Sequence, residues 1–132
     1  MRGDAVMVFF GDPETAGIKM DAIKCVMMAK EMIKKVKTFG IEIRTGIHTG
    51  IYTVANFGSE ERMDYTIIGR SVNLASRLES NSEPGKIQIS SATYDLVKDQ
   101  LHCEPHGEIQ VNGIDRKIMT YWAVDRPEEE LS

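Results

Sequence analysis

The sequence predicts an α+β domain in which helices pack on a mostly antiparallel sheet. Three observations carry that reading. Short apolar or alternating runs of strand length are interleaved with stretches of helical period. An Asn-Gly pair, Asn112-Gly113, separates the last two strand-like runs, as in a tight hairpin that needs positive φ angles. A chain of 132 residues has room for one domain with its own core, and not for two.

Taken in order, Ala5–Phe10 (AVMVFF) is an apolar run closed by Gly11-Asp12-Pro13, which reads as a buried strand and a turn. It begins almost at the first residue, so it is expected either as a terminal strand or as the continuation of something longer. From Gly17 to Phe39 the spacing becomes helical, with Ile18, Ala22, Ile23, Val26, Met27, Ala29, Ile33 and Val36 on one apolar face. Lys19, Lys24, Lys30, Lys34, Lys35 and Lys37 outnumber Asp21 and Glu31 there and gather late in the helix, where they complement its dipole. They read as a solvated face rather than a phosphate site. Gly40 ends the helix.

Ile41–His48 and Ile51–Phe57 read as two strands joined in a hairpin at Thr49-Gly50. A polar stretch follows, then a second helix from Ser71 to Ser80 with Val72, Ala75 and Leu78 inward. Pro84-Gly85 breaks it, Lys86–Ile89 is a short strand, and Ser90 caps a third helix over Ser91–Lys98. Glu108–Val111 and Lys117–Val124 form the last hairpin. The domain therefore spans 1–124, and 125–132 is an acidic tail.

Composition excludes several classes. With 42% apolar and 27% charged residues the chain is an ordinary globular one. A net charge of −4 and the lack of an interleaved basic-aromatic motif argue against nucleic-acid binding. No run has the roughly 18 apolar residues of a membrane span, so this segment is expected to make no membrane contact. Cys25 and Cys103 lie far apart and outside any Cys-x-x-Cys pair, which fits a reducing cytoplasm better than a disulfide or zinc scaffold.

Few residues advertise chemistry by themselves. Asn73 and Arg77 lie four apart on the second helix and project from nearly the same side, an amide beside a guanidinium. That combination suits a sugar oxygen and a phosphate, although most such pairs are surface residues. Asp4, next to Gly3 at a strand end, suits a hard cation or a turn. His48, His102 and His106 lack metal-ligand spacing, and His48 reads as a strand residue at a hairpin. No nucleophile elbow, P-loop or dinucleotide fingerprint occurs.

In sequence order these fragments resemble one family. Gly3-Asp4-Ala5-Val6-Met7, Arg44-Thr45-Gly46-Ile47-His48-Thr49-Gly50, Arg62–Gly69, Val72-Asn73-Leu74-Ala75-Ser76-Arg77-Leu78-Glu79 and Pro84-Gly85-Lys86-Ile87 are similar to the class III nucleotidyl cyclases, adenylyl and guanylyl. The likeness extends to about Val124, and its centre, Tyr65 to Glu79, is highly specific. It implies a ferredoxin-like cyclase domain of bacterial adenylyl type. It implies that Asp4 is the second of two metal-binding aspartates, for a pair of Mg²⁺ or Mn²⁺ ions. Asn73 would orient the ribose, Arg77 would stabilise the α-phosphate, and Thr66 would read the purine and favour ATP over GTP. The reaction implied is in-line attack on the α-phosphate, giving 3′,5′-cyclic AMP and pyrophosphate at a homodimer interface. Regulatory domains would lie elsewhere in a longer, cytoplasmic or membrane-anchored parent.

Two departures shape the expectation for this chain. The family's opening strand, its helices and the first metal aspartate have no counterpart before Gly3, and Asn112 stands where the family has a lysine for the triphosphate. Catalysis by these residues alone is therefore expected to be weak or absent, and a rearranged or swapped dimer is expected to cover the neighbours of the missing strand. The alternatives are a degenerate cyclase-like module that binds nucleotide or dimerises, and a guanylyl cyclase.

Overall fold

The computed structural model describes residues 2–11, 16–51, 65–110 and 117–124. Among them are five strands and three helices, in the order β1 (Arg2–Gly11), α1 (Ala16–Lys37), β2 (Glu42–Ile51), α2 (Tyr65–Ser80), β3 (Ile87–Ser90), α3 (Ser91–Val97), β4 (Cys103–Gln110) and β5 (Lys117–Ala123). The strands form one sheet in the order β1-β2-β3-β5-β4. The α+β class read from the sequence therefore holds. The direction of the ladders differs: β1-β2 and β2-β3 are parallel, while β3-β5 and β4-β5 are antiparallel. The sheet is mixed, not mostly antiparallel. Long connections that include α1 and α2 return the chain in the same direction, and apolar periodicity carries no information about direction.

β2 shows which helix belongs to which face. Ile43, Thr45, Ile47 and Thr49 are buried on one side of it. Ile87 and Ile89 of the neighbouring β3 continue that side, and against it pack Ala22, Val26 and Ala29 of α1 and Val97 of α3 to form the main core. The other side, with Arg44 and Gly46, receives α2, whose Leu74 and Leu78 pack against Ile109 and Ile118 of β4 and β5. The sheet thus carries α1 and α3 on one face and α2 on the other.

Local chemistry explains the boundaries. Past α1, the Ile41 N–H donates to the Val36 carbonyl at 3.1 Å and the Gly40 N–H to Lys37 at 3.0 Å. Gly40 sits at φ +76°, so the helix closes in a Schellman turn that favours glycine. Ser90 caps α3, its side chain accepting from the Thr93 N–H at 3.3 Å. β4 and β5 pair from Gln110↔Lys117 to Cys103↔Ala123, the expected hairpin, with a bulge between Pro105 and Gly107. Pro105 lies on the sheet's edge strand, where a missing N–H is tolerated. Asn112-Gly113 lies outside the described residues.

Three expectations are corrected. No hairpin forms at Thr49-Gly50: β2 runs through both residues, which are buried and pair with Phe9 and Phe10 of β1. The second strand of that hairpin lies, beyond Ile51, outside the described residues. Met27 is 47% exposed instead of facing the core, because the buried stripe of α1 runs through Ile18, Ala22, Val26 and Ala29. Val72 is likewise 43% exposed, since the buried stripe of α2 is Ser71, Leu74, Ala75, Leu78 and Glu79.

Candidate active site

α2 carries the polar pair singled out in the sequence. Asn73 and Arg77 are both exposed, on the side of the helix turned away from β2, with Ser76 between them. What holds the helix is a close approach at Gly46. A Cβ there would meet the Glu79 backbone N, the Ala75 carbonyl oxygen at 2.6 Å and the Glu79 Cα at 2.9 Å. Helix backbone and strand backbone are in van der Waals contact, so the outward side of α2 is fixed relative to the sheet. The helix begins at Tyr65, six residues before the expected start, and this places Thr66 in its first turn. Thr66 stands seven positions before Asn73, about two turns along the same helix.

Asp4 is exposed on β1, directly across the ladder from Arg44. The Arg44 guanidinium reaches Asp4 Oδ1 at 3.4 Å through one nitrogen and Glu79 Oε2 at 3.4 Å through Nε. Glu79 is the buried member, its side chain only 9% exposed. Burial pushes its carboxyl up from the usual range; a hydrogen bond with Asp4 and the Asp4 charge add to this, and Arg44 opposes it. Arg44 Nε and Glu79 Oε2 are both buried without a hydrogen-bond partner among the described residues, so packing rather than a well-aligned hydrogen bond sets this ion pair. The link ties Asp4 of β1 to the C-terminal turn of the helix bearing Asn73 and Arg77. Arg44 and Glu79 fall within the motifs of the family resemblance, but their partnership joins three elements and has no local signal in the sequence.

A divalent cation of the Mg²⁺ type takes oxygen ligands in an octahedron, usually with one or two carboxylates. Asp4 offers one carboxylate, already paired with Arg44. Glu79 is drawn to the same guanidinium, and among the described residues no group of three His, Cys, Asp or Glu side chains converges. These side chains do not by themselves form a cation site.

Farther along β2, His48 Nδ1 lies 2.8 Å from Ser90 Oγ. Ser90 Oγ lies 3.3 Å from Thr93 Oγ1, which in turn is 2.9 Å from Thr49 Oγ1. This network joins β2 to the N-terminus of α3, and burial lowers the His48 pKa from 6.5 to about 4. The folded protein therefore holds His48 neutral while the unfolded chain takes up a proton below pH 6.5. Stability is expected to be full above that pH and to fall as pH drops toward 4, by about 3 kcal/mol in all. Thermal melts across this range should show the loss, and His48→Gln should flatten it. A parallel pH profile in both proteins would remove His48 as the cause.

Comparison with known proteins places this geometry in a family. Residues 1–125 match the model of the adenylate and guanylate cyclase catalytic domain, and the chain belongs to that family. The resemblance read from the motifs is thereby confirmed at that level. It is 52% identical to the adenylyl cyclase CyaB from P. aeruginosa, whose crystal structure superposes with a TM-score of 0.66 over 89% of this chain and 65% of that one. The receptor-type guanylate cyclase gcy-8 of Caenorhabditis elegans is 35% identical over 96% of this chain and 12% of its own. The human guanylate cyclase soluble subunit beta-2 is 34% identical over 92% of this chain and 20% of its own. The chain thus spans a fifth or less of these curated relatives. Among the described residues no helix is long and apolar enough to cross a membrane.

Proposed function

We propose that the chain is the catalytic domain of an adenylyl cyclase, converting ATP to 3′,5′-cyclic AMP and pyrophosphate. The observation that carries the reading is α2: Asn73 and Arg77 stand exposed side by side on a helix whose other side is locked to β2 at Gly46. The ribose 3′-oxygen attacks the α-phosphorus, the bond to the bridging oxygen of the β-phosphate breaks, and the 3′-hydroxyl proton is released. Arg77 meets the charge that develops on the α-phosphate, a task for which a fixed guanidinium is well suited. Asn73 hydrogen-bonds the ribose, and Thr66 contacts the purine. Asp4 would offer one carboxylate to Mg²⁺ or Mn²⁺, whose other ligands the described side chains do not supply.

A homodimer fits the distribution of exposed groups. Val6 on β1 and Val72 on α2 are 42% and 43% exposed, apolar side chains beside Asp4 and beside Asn73. A second copy would cover them, with Asp4 of one protomer serving the Asn73 and Arg77 of the other. Regulation then comes from parts of a longer protein.

The likeness to CyaB, an adenylyl cyclase, and Thr66 at the purine position favour ATP. The guanylate cyclases among the relatives, 33–35% identical, favour GTP as the second reading. Incubation with ATP or GTP and Mn²⁺, with chromatography of the products, separates the two. Cyclic AMP is expected, formed slowly, in excess of cyclic GMP. The reverse ratio would make this a guanylyl cyclase, and nucleotide binding without either product would make it a non-catalytic module.

A further inference from the structure

The proposed reaction leaves two sulfur atoms at the seam between α1 and β1 without a part. The Cys25 thiol of α1 lies 3.7 Å from the thioether sulfur of Met7 on β1, 18 residues away in the sequence. Both side chains are half-buried and pack against the main core. Cys103, the other cysteine, has no second sulfur beside it among the described residues, and its thiol points to the Leu101 carbonyl at 4.0 Å. Burial pushes the Cys25 thiol up, which makes it a poor nucleophile. A soft cation is a different matter, because it replaces the thiol proton as the metal–sulfur bond forms. With metal–sulfur bonds of about 2.3 Å, two sulfurs at this separation share one ion at an angle of roughly 107°, which suits three or four ligands rather than two.

We propose that Met7 and Cys25 form a Cu(I) site, completed from α1 by Met28. Thiolate and thioether donors select Cu(I), whereas Zn²⁺ takes imidazole, thiolate or carboxylate, and no three His, Cys, Asp or Glu side chains converge among the described residues. Met28 follows Cys25 by three residues, so the two stand on one side of the helix. Its flexible side chain, 59% exposed, can turn toward the pair. Met20 and Met27 project from other sides of α1, and Met32 lies about two turns beyond Cys25. The Cys25 proton passes to solvent, one thiolate and two thioethers hold the ion, and no electron is transferred because the metal enters as Cu(I). Bound there, the ion clips α1 to β1, the strand that carries Asp4.

The full chain, reduced and kept free of oxygen, is titrated against the Cu(I)–bicinchoninate complex, whose colour falls as the protein takes the metal. Uptake of one equivalent is expected, kept in Cys103→Ser, lost in Cys25→Ser and in Met7→Leu, and weakened in Met28→Leu. Met7→Leu nearly conserves volume, so its loss of metal reports the missing donor rather than a disturbed core. Cu(I) is also expected to raise the melting temperature of the native chain, as any ligand of the folded state does, and to leave that of Met7→Leu unchanged. Failure of the native chain to draw Cu(I) from bicinchoninate overturns the proposal and makes the contact one of packing only. Uptake by Met7→Leu equal to the native, or its loss in Cys103→Ser, overturns it too by placing the metal elsewhere. No nucleotide enters the measurement, so its failure and that of the cyclase reading are distinguishable.

Discussion

On the proposed cyclase reading, Arg77→Ala is expected to lower the rate of cyclic-nucleotide formation by roughly 10³-fold while leaving the melting temperature almost unchanged. The two halves of this expectation come from different facts. Arg77 is exposed and lies outside the buried stripe of α2, so its removal opens no cavity and strands no buried charge. Surface replacements of this kind shift stability by about 0.5 kcal/mol or less. The proposed reaction, in contrast, would build negative charge on the α-phosphate, and a guanidinium held at that point is among the larger single contributions in phosphoryl transfer. Arg77→Lys is expected to recover only part of the rate, because an ammonium cannot bridge two phosphate oxygens with parallel hydrogen bonds. Product formation at saturating nucleotide, measured beside a thermal melt, checks both halves. Unchanged turnover in Arg77→Ala would remove the arginine from the mechanism; a collapsed melting curve would show that it supports the fold instead.

The parts of this molecule that were legible in the sequence are those set within a few residues. Ser90 as a cap and Gly40 as a helix end follow from which backbone groups a short segment leaves unpaired. The pairing of β4 with β5 follows from a turn signal between two alternating runs. The helical spacing of Asn73 and Arg77 is likewise local, and it is why the pair was visible before the sheet was known. What failed depended on partners distant in the chain. Thr49-Gly50 has the composition of a turn, yet pairing with Phe9 and Phe10 draws it into the middle of a strand. Val72 looks like a core residue by type, but the stripe that meets β2 includes Ser71 and Glu79, whose burial no hydropathy pattern suggests. Glu79 is buried because Arg44 reaches it from β2 while holding Asp4 on β1. The identity of the motif was readable; the reason for half of its residues was not.

Gly46 belongs to that unread half, and its replacement is expected to have the largest effect on stability of any single change on the sheet. A methyl group at this position would fall against the Glu79 backbone N, 2.6 Å from the Ala75 carbonyl oxygen and 2.9 Å from the Glu79 Cα. These are helix backbone atoms, which cannot swing aside as the end of a lysine could. α2 as a whole must lift from β2. Overpacking commonly costs 1–3 kcal/mol, and a clash with backbone puts Gly46→Ala at about 3 kcal/mol or more. For a domain of this size that is a drop in melting temperature of roughly 10 °C. Gly46→Val, with two further carbons, is expected not to fold. Gly17→Ala is the control: it lies in the first turn of α1 with nothing near its missing Cβ, and it should stabilise slightly by restricting the unfolded chain. The lift also moves Asn73 and Arg77 relative to the sheet, and so, on the proposed reading, relative to the Asp4 that a second copy would bring to them. Gly46→Ala should therefore lose activity well below its melting temperature, where Gly17→Ala retains it. A Gly46→Ala protein that melts and turns over like the native one would mean that α2 is not seated on β2 through this glycine, and the fixed geometry on which the assignment of Arg77 depends would go with it.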